Sequence, residues 1–158
     1  MKRITAILLS ICLLAITSTG CGEQEDVSQF TDQMNVFCEN VSRLDASINS
    51  ISVSTDEEGY EQSKQALLSY LDELRLEFQY LAEIDFPEDF DYLEDVCTQA
   101  SNYMTEAVSS YHRLYGEEYS DELEAYAREN YSRAYKRVQV VITLLHGEEP
   151  SDSDLIIK

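Results

Sequence analysis

Histidine and carboxylate side chains are the residues of this sequence best suited to chemistry, yet their spacing forms no catalytic or metal-binding set. His112 and His146 are the only histidines, and they stand outside metal-ligand spacings such as His-x-x-x-His. The acidic run from Glu88 to Asp95 lacks the calcium-loop pattern of alternating oxygen ligands around a central glycine. The Glu-x-x-His motifs of di-iron bundles are absent too. We therefore expect no metal site.

Motifs for nucleophilic catalysis or cofactor binding are also missing. The sequence has no serine-nucleophile motif, no phosphate-binding glycine loop and no haem attachment motif. Only five residues are glycine, which leaves few positions for a catalytic loop. We expect a non-enzymatic protein without a cofactor. A hydrolase is the less favoured alternative.

Basic and aromatic residues are interleaved near the C-terminal end, a mixture typical of recognition surfaces. The predicted partner surface consists of Arg128, Tyr131, Arg133, Tyr135, Lys136 and Arg137. The alternative is that the basic residues pair with acidic faces of neighbouring helices while the tyrosines close the core.

Two further arrangements would create a binding site. A tyrosine-lined groove near Gly116 is the predicted position of a pocket, and its candidates are Tyr103, Tyr111, Tyr115, Tyr119 and Tyr126. A carrier of small molecules or cations is the alternative function. It would require an internal cavity lined by Ala100, Ala107, Ala127 and Ala134.

The first residues have the pattern of a secretory signal. A basic start is followed by an apolar run over residues 4–16, which is too short to span a bilayer, and small residues then lead to Cys21. The stretch from Ser18 to Cys21 resembles the lipobox of bacterial lipoproteins. This resemblance implies cleavage after residue 20, a lipid on Cys21 and a position on the outer face of the cytoplasmic membrane. The alternative is an ordinary signal peptide, with Cys21 a free thiol.

The net charge of −20 restricts the partners. Such a surface repels nucleic acid phosphates and anionic lipid headgroups, so we expect no nucleic acid partner. The lipid on Cys21 is then the expected membrane attachment. An envelope protein is the expected kind of partner.

Cys38 and Cys97 remain once the signal and the lipidated cysteine are set aside. Outside the cytoplasm, an even pair of cysteines favours a disulfide. Two buried free thiols are the alternative.

Apolar residues recur in steps of three and four along four segments, which predicts four amphipathic helices. The first begins at Val27, the second near Asp56 and the third at Glu88 after Pro87. Gly116 is expected to end the third helix in a left-handed conformation, and Ser120 to cap the fourth. Short connections between helices of similar length predict an antiparallel up-down-up-down four-helix bundle.

The predicted organisation is a signal peptide over residues 1–20, a lipidated tether over 21–26, the bundle over 27–147 and a flexible tail over 148–158. The whole chain resembles the small acidic α-helical lipoproteins of Gram-positive bacteria. That resemblance implies a location at the membrane and no particular reaction. We therefore expect an extracytoplasmic interaction or binding module.

Overall fold

The computed structural model describes residues 23–52, 54–116 and 119–150, with side chains from residue 27 onward. The predicted signal peptide, Cys21 and most of the predicted tail lie outside the described residues. Within them the protein has four α-helices and no strand: α1 Glu23–Ser50, α2 Glu57–Glu83, α3 Glu94–Tyr115 and α4 Asp121–Leu145. The prediction of an all-α fold is confirmed. None of the described helices is long and apolar enough to cross a membrane.

The core is formed by the predicted apolar stripes. In α2 the residues that repeat in steps of four and three are all buried: Leu67, Leu71, Leu74, Phe78 and Leu81. The stripe of α1 is equally buried from Phe30 to Ile48. Burying such a stripe removes apolar surface from water, and each large side chain contributes about 1.5–3 kcal/mol to folding.

The helix boundaries differ from the predictions before α1 and after Pro87, and agree with them at the start of α2. Helix α1 begins at Glu23, so residues 23–26 of the expected tether are helical. Acidic residues at a helix N-terminus complement the helix dipole, and this segment contains three of them. Helix α2 is capped by Asp56, which accepts a 2.7 Å hydrogen bond from the Gly59 amide.

The second difference lies after Pro87. The segment Glu88–Leu93 is a 3₁₀ helix, and α3 starts only at Glu94. The Phe90 amide donates to the Pro87 carbonyl at 2.7 Å, which is the tighter three-residue pattern. Phe90 and Phe86 both contact the ring of Phe30 on α1, with centroids 5.3 and 5.2 Å away. These aromatic contacts hold the joint between α2 and α3 against α1.

The expected left-handed conformation of Gly116 is wrong. Gly116 has φ −84° and ψ −105°, and its amide donates to the Arg113 carbonyl at 3.2 Å. A side chain here would approach the His112 carbonyl oxygen to 3.1 Å, so a close approach explains the glycine. Among the residues that the structure describes, Gly147 has a positive φ of 71°, and it follows the end of α4.

Helices α3 and α4 make the most extensive helix pair. Small residues allow this approach, because Ala100 and Ala107 on α3 and Ala127 and Ala134 on α4 are all fully buried.

The expected disulfide between Cys38 and Cys97 is not formed, and both cysteines are buried free thiols. Cys38 lies on α1, which packs chiefly on α2, whereas Cys97 lies on α3, which packs chiefly on α4 and α2. A disulfide requires Cα atoms within about 7 Å, a separation that neighbouring helices provide most readily. Burial raises the pKa of Cys38 to about 11 and that of Cys97 to about 12.

Candidate functional site

A cleft of about 690 Å³ lies where the start of α2, the end of α3 and the start of α4 meet. Its volume falls within the range of small-molecule sites in proteins. Helix α2 contributes Tyr60, Glu61 and Lys64 to its wall. The other lining residues are Tyr111, Leu114, Tyr115, Gly116, Tyr119, Asp121, Glu124 and Arg128. We call this site the tyrosine cleft.

Tyr111 is the most buried polar residue of the cleft wall. The residue is 2% exposed, and its hydroxyl makes no hydrogen bond to any residue that the structure describes. Its ring stacks on that of Tyr115, with centroids 6.4 Å apart and ring planes 19° from parallel. Burial raises the pKa of Tyr111, and the neighbouring Tyr115 adds to this effect. The hydroxyl is therefore neutral at physiological pH, and it lies covered beneath the surface of the cleft wall with unused hydrogen-bonding capacity.

Charged side chains surround these rings. Lys64 forms an ion pair with Glu61 at 2.7 Å, and an Arg128 guanidinium nitrogen lies 3.6 Å from Glu124. The hydroxyl of Tyr119 donates to Asp121 at 3.4 Å and to Glu124 at 3.3 Å. These two carboxylates, Glu124 first, raise the pKa of Tyr119.

The structure places part of the predicted tyrosine groove in this cleft. Tyr111, Tyr115 and Tyr119 line it beside Gly116. Tyr103 instead lies beneath the Arg133 guanidinium, 5.6 Å from it, and Tyr126 donates to Glu106 at 3.5 Å.

Sequence analysis missed the α2 wall. Tyr60 and Lys64 have the four-residue spacing of one helix face, but that spacing does not reveal which helix ends meet.

The predicted partner surface on α4 is wrong in two of its six residues. Tyr131 and Tyr135 are 5% and 0% exposed, so they belong to the core. Tyrosine is large and apolar apart from its hydroxyl, and it is readily buried when that hydroxyl finds a partner. Arg133 pairs with Glu129 at 2.5 Å and also contacts Tyr103. The alternative interpretation, in which tyrosines close the core and basic residues pair with acidic faces of neighbouring helices, describes the two tyrosines, whereas the Glu129 that pairs with Arg133 lies on α4 itself.

Asp45 is the partner of both buried tyrosines. Its Oδ1 accepts hydrogen bonds from Tyr131 at 3.0 Å and from Tyr135 at 2.5 Å, while Oδ2 has no hydrogen-bond partner. Burial raises the pKa of Asp45, against the opposing effect of the two hydrogen bonds. We call Asp45, Tyr131 and Tyr135 the buried polar triad. It joins α1 to α4 and was missed in the sequence, where Asp45 is one of 31 acidic residues.

The described residues contain no cluster of three or more side chains suited to a metal ion. His112 Nε2 lies 3.0 Å from Asp72 on α2, as part of a half-exposed pair, and His146 is exposed after the end of α4. The buried alanines expected to line a carrier cavity pack between α3 and α4, and the tyrosine cleft is lined by other residues.

Comparison of the chain with protein-family models, with curated proteins and with solved structures finds no match. The candidate site therefore rests on the geometry of this chain alone.

Proposed function

We propose that this protein is a non-enzymatic binding protein held on the outer face of the cytoplasmic membrane by a lipid on Cys21. The tyrosine cleft is its binding site. The anchor is supported by the signal-like residues before Cys21. The short distance in sequence between Cys21 and α1 keeps the domain close to the bilayer.

The proposed arrangement of the helices is an antiparallel up-down-up-down bundle. Side-chain contacts support it, because along each of two helix pairs the contacting residue numbers rise on one helix as they fall on the other. Between α1 and the α2 region they join Phe30 with Phe86, Phe37 with Phe78 and Asn40 with Glu77. Between α3 and α4 they join Tyr103 with Arg133 and Glu106 with Tyr126. In this topology the α1–α2 and α3–α4 connections share one end, which accounts for the start of α2 in the cleft.

The observation that carries the proposal is the hydroxyl of Tyr111. Buried polar groups in proteins are nearly always hydrogen-bonded, and an exception calls for an explanation. In the free protein this hydroxyl is covered, so a ligand that enters the tyrosine cleft would supply the missing partner through a small shift of the Tyr111 side chain. A binding role needs no converging acid, base and nucleophile, and none was found in the sequence.

The test of the cleft is a thermal-shift screen of the full chain in a non-ionic detergent. The compounds are small aromatic and aliphatic molecules in cationic, neutral and anionic classes. We expect at least one class to raise the melting temperature of the wild type and to lose this effect in Tyr60→Ala. Tyr92→Ala, an exposed tyrosine outside the cleft lining, is the matched control. A screen without any shift that depends on Tyr60 would overturn the proposal.

The anchor has its own test. Wild-type protein expressed with its own signal in a Gram-positive host should sediment with membranes, whereas Cys21→Ser should be released. Cys38→Ser should remain with the membranes, because this buried thiol has no role in the anchor. Equal sedimentation of the Cys21 variant would contradict lipid anchoring.

A second candidate function is contact with an envelope protein through the basic face of α4. It is supported by Lys136 and Arg137, which are half-buried and make no ion pair with any residue that the structure describes. Their unpaired charge suits an acidic segment of a partner. Co-purification from native membranes should then yield a partner with wild type that is lost with Lys136→Gln/Arg137→Gln. Recovery of the same proteins with both would exclude this surface.

A further inference from the structure

Aromatic rings dominate the tyrosine cleft. Tyr60, Tyr111, Tyr115 and Tyr119 all contribute to its lining. The face of a tyrosine ring carries negative partial charge and attracts a cation within about 6 Å of the ring centroid. The same protein uses this contact elsewhere, between Arg133 and Tyr103.

The charges of the cleft also favour a positive ligand. Three carboxylates, Glu61, Asp121 and Glu124, line it with two basic residues. Lys64 is held by Glu61, and Arg128 lies near Glu124. An anionic ligand would have to compete with these carboxylates for the two basic side chains. Asp121, in contrast, has only the Tyr119 hydroxyl as a hydrogen-bond donor among the described side chains.

The electrostatic field of the whole protein also favours a positive ligand. The chain carries a net charge of −20, which raises the local concentration of cations at its surface and speeds their association. At close range, the neutral hydroxyl of Tyr111, which is covered in the free protein, can accept a hydrogen bond from an N–H group when its side chain shifts toward the cleft. Ring faces, a carboxylate and a hydroxyl acceptor together match the chemistry of an ammonium group.

We infer that the tyrosine cleft binds a small organic ammonium ion, with its charge placed between the tyrosine rings and the Asp121 carboxylate. This inference rests on the proposed binding function of the cleft. The Tyr111 side chain shifts so that its hydroxyl, covered in the free protein, accepts from the ammonium N–H, and the remaining rings cover the organic part of the ligand. The cleft is the right size for an ion of this kind, since about 690 Å³ accommodates a single small organic molecule.

The experiment is a calorimetric titration of the full chain in a non-ionic detergent with three probes that share a phenyl ring and a short chain. They are 2-phenylethylammonium, 2-phenylethanol and 3-phenylpropionate. We expect the ammonium to bind about tenfold more tightly than the alcohol, which is the range of a cation–ring contact with carboxylate support. The carboxylate probe should bind most weakly.

Two variants locate the ion in the cleft. Asp121→Asn should weaken ammonium binding severalfold and leave binding of the alcohol unchanged. Asp95→Asn is the matched control, because both residues are exposed carboxylates in the first turn of a helix. Tyr111→Phe should also weaken the ammonium while leaving the melting temperature of the free protein unchanged or higher.

The outcomes separate this inference from the proposed function. Equal affinity for all three probes, or a preference for the alcohol or the carboxylate, would overturn the ammonium assignment while leaving a cleft that binds ligands. Ammonium binding that is unchanged in both Asp121→Asn and Tyr111→Phe would likewise overturn it. If no probe binds, the ammonium inference fails, and the separate thermal-shift screen decides whether the cleft binds another class of ligand.

Discussion

Tyr135 on α4 donates a 2.5 Å hydrogen bond to Asp45 on α1, 90 positions away in the sequence. Tyr131 donates to the same oxygen at 3.0 Å, and the ring of Phe78 from α2 packs against Tyr135 with centroids 5.6 Å apart. Three helices therefore meet around one buried carboxylate. The triad ties α1 to α4 through long side chains, whereas α3 and α4 pack directly through small residues.

Asp45→Asn should change how stability depends on pH. Burial raises the pKa of Asp45, so the folded protein holds the proton more tightly than the unfolded chain. This stabilisation is complete below the unfolded pKa and is lost as pH rises through the folded pKa. We therefore expect the variant to gain stability relative to the wild type as pH rises from about the ordinary aspartate pKa of 3.8 through the higher pKa of the folded state, as measured by urea unfolding.

Asp32→Asn is the control, since Asp32 is an exposed carboxylate on the same helix and its replacement removes the same charge. A stability difference between Asp45→Asn and the wild type that stays constant with pH would refute a raised pKa of Asp45. A variant that loses stability relative to the wild type as pH rises would do so as well.

Two tyrosine-to-phenylalanine changes should have opposite consequences. Tyr135→Phe removes a hydrogen bond to a buried carboxylate and should lower the free energy of unfolding by about 1–2 kcal/mol. Tyr111→Phe removes a buried hydroxyl that has no partner, so it should be neutral or stabilising. Chemical denaturation of both variants measures the contrast. Equal losses would show that the Tyr111 hydroxyl has a partner in the free protein.

Cys38 and Cys97 should be slow to react in the folded protein. The thiolate is the reactive form, and burial raises the pKa of Cys38 to about 11 and that of Cys97 to about 12. Iodoacetamide should modify both in denaturant and neither in native buffer, with intact mass as the readout. A mass two hydrogens lower without reductant, and no alkylation in denaturant, would instead reveal a disulfide.

Ala107→Leu should destabilise the bundle by about 1–3 kcal/mol, because a larger side chain forces apart the closely packed α3 and α4. The same change at Ala125, which is exposed on α4, is the control for helix propensity. Thermal unfolding of the two variants gives the comparison. A Leu at position 107 that is tolerated as well as one at 125 would contradict close packing here.

Much of the secondary structure was readable from the sequence. The apolar steps along α2 and α3 predicted residues that are buried, including Phe78 and Cys97, because a helix of 3.6 residues per turn aligns such positions on one face. Ser120 was predicted to cap α4, and its hydroxyl accepts a 3.0 Å hydrogen bond from the Leu123 amide. These features depend on residues only a few positions apart.

The candidate site was readable only in part. Tyr111, Tyr115 and Tyr119 were predicted near Gly116, since they precede and follow the same connection. The contribution of Tyr60 and Lys64 was not predicted, because it depends on which ends of α2 and α3 meet. For the same reason the α4 tyrosines were assigned to a surface, although the carboxylate that makes their burial favourable is on another helix.

The sequence by itself determined the helical class, the buried stripes and the caps, all of which follow from local spacing and local hydrogen bonds. Tertiary structure alone decided that Tyr131 and Tyr135 turn inward to Asp45, that Cys38 and Cys97 stay unpaired, and that Tyr111 lies unpartnered in a cleft wall. The periodicity of the apolar residues predicts which face of a helix is buried. The partner that each buried polar group finds depends on the relative placement of whole helices, which no local pattern encodes.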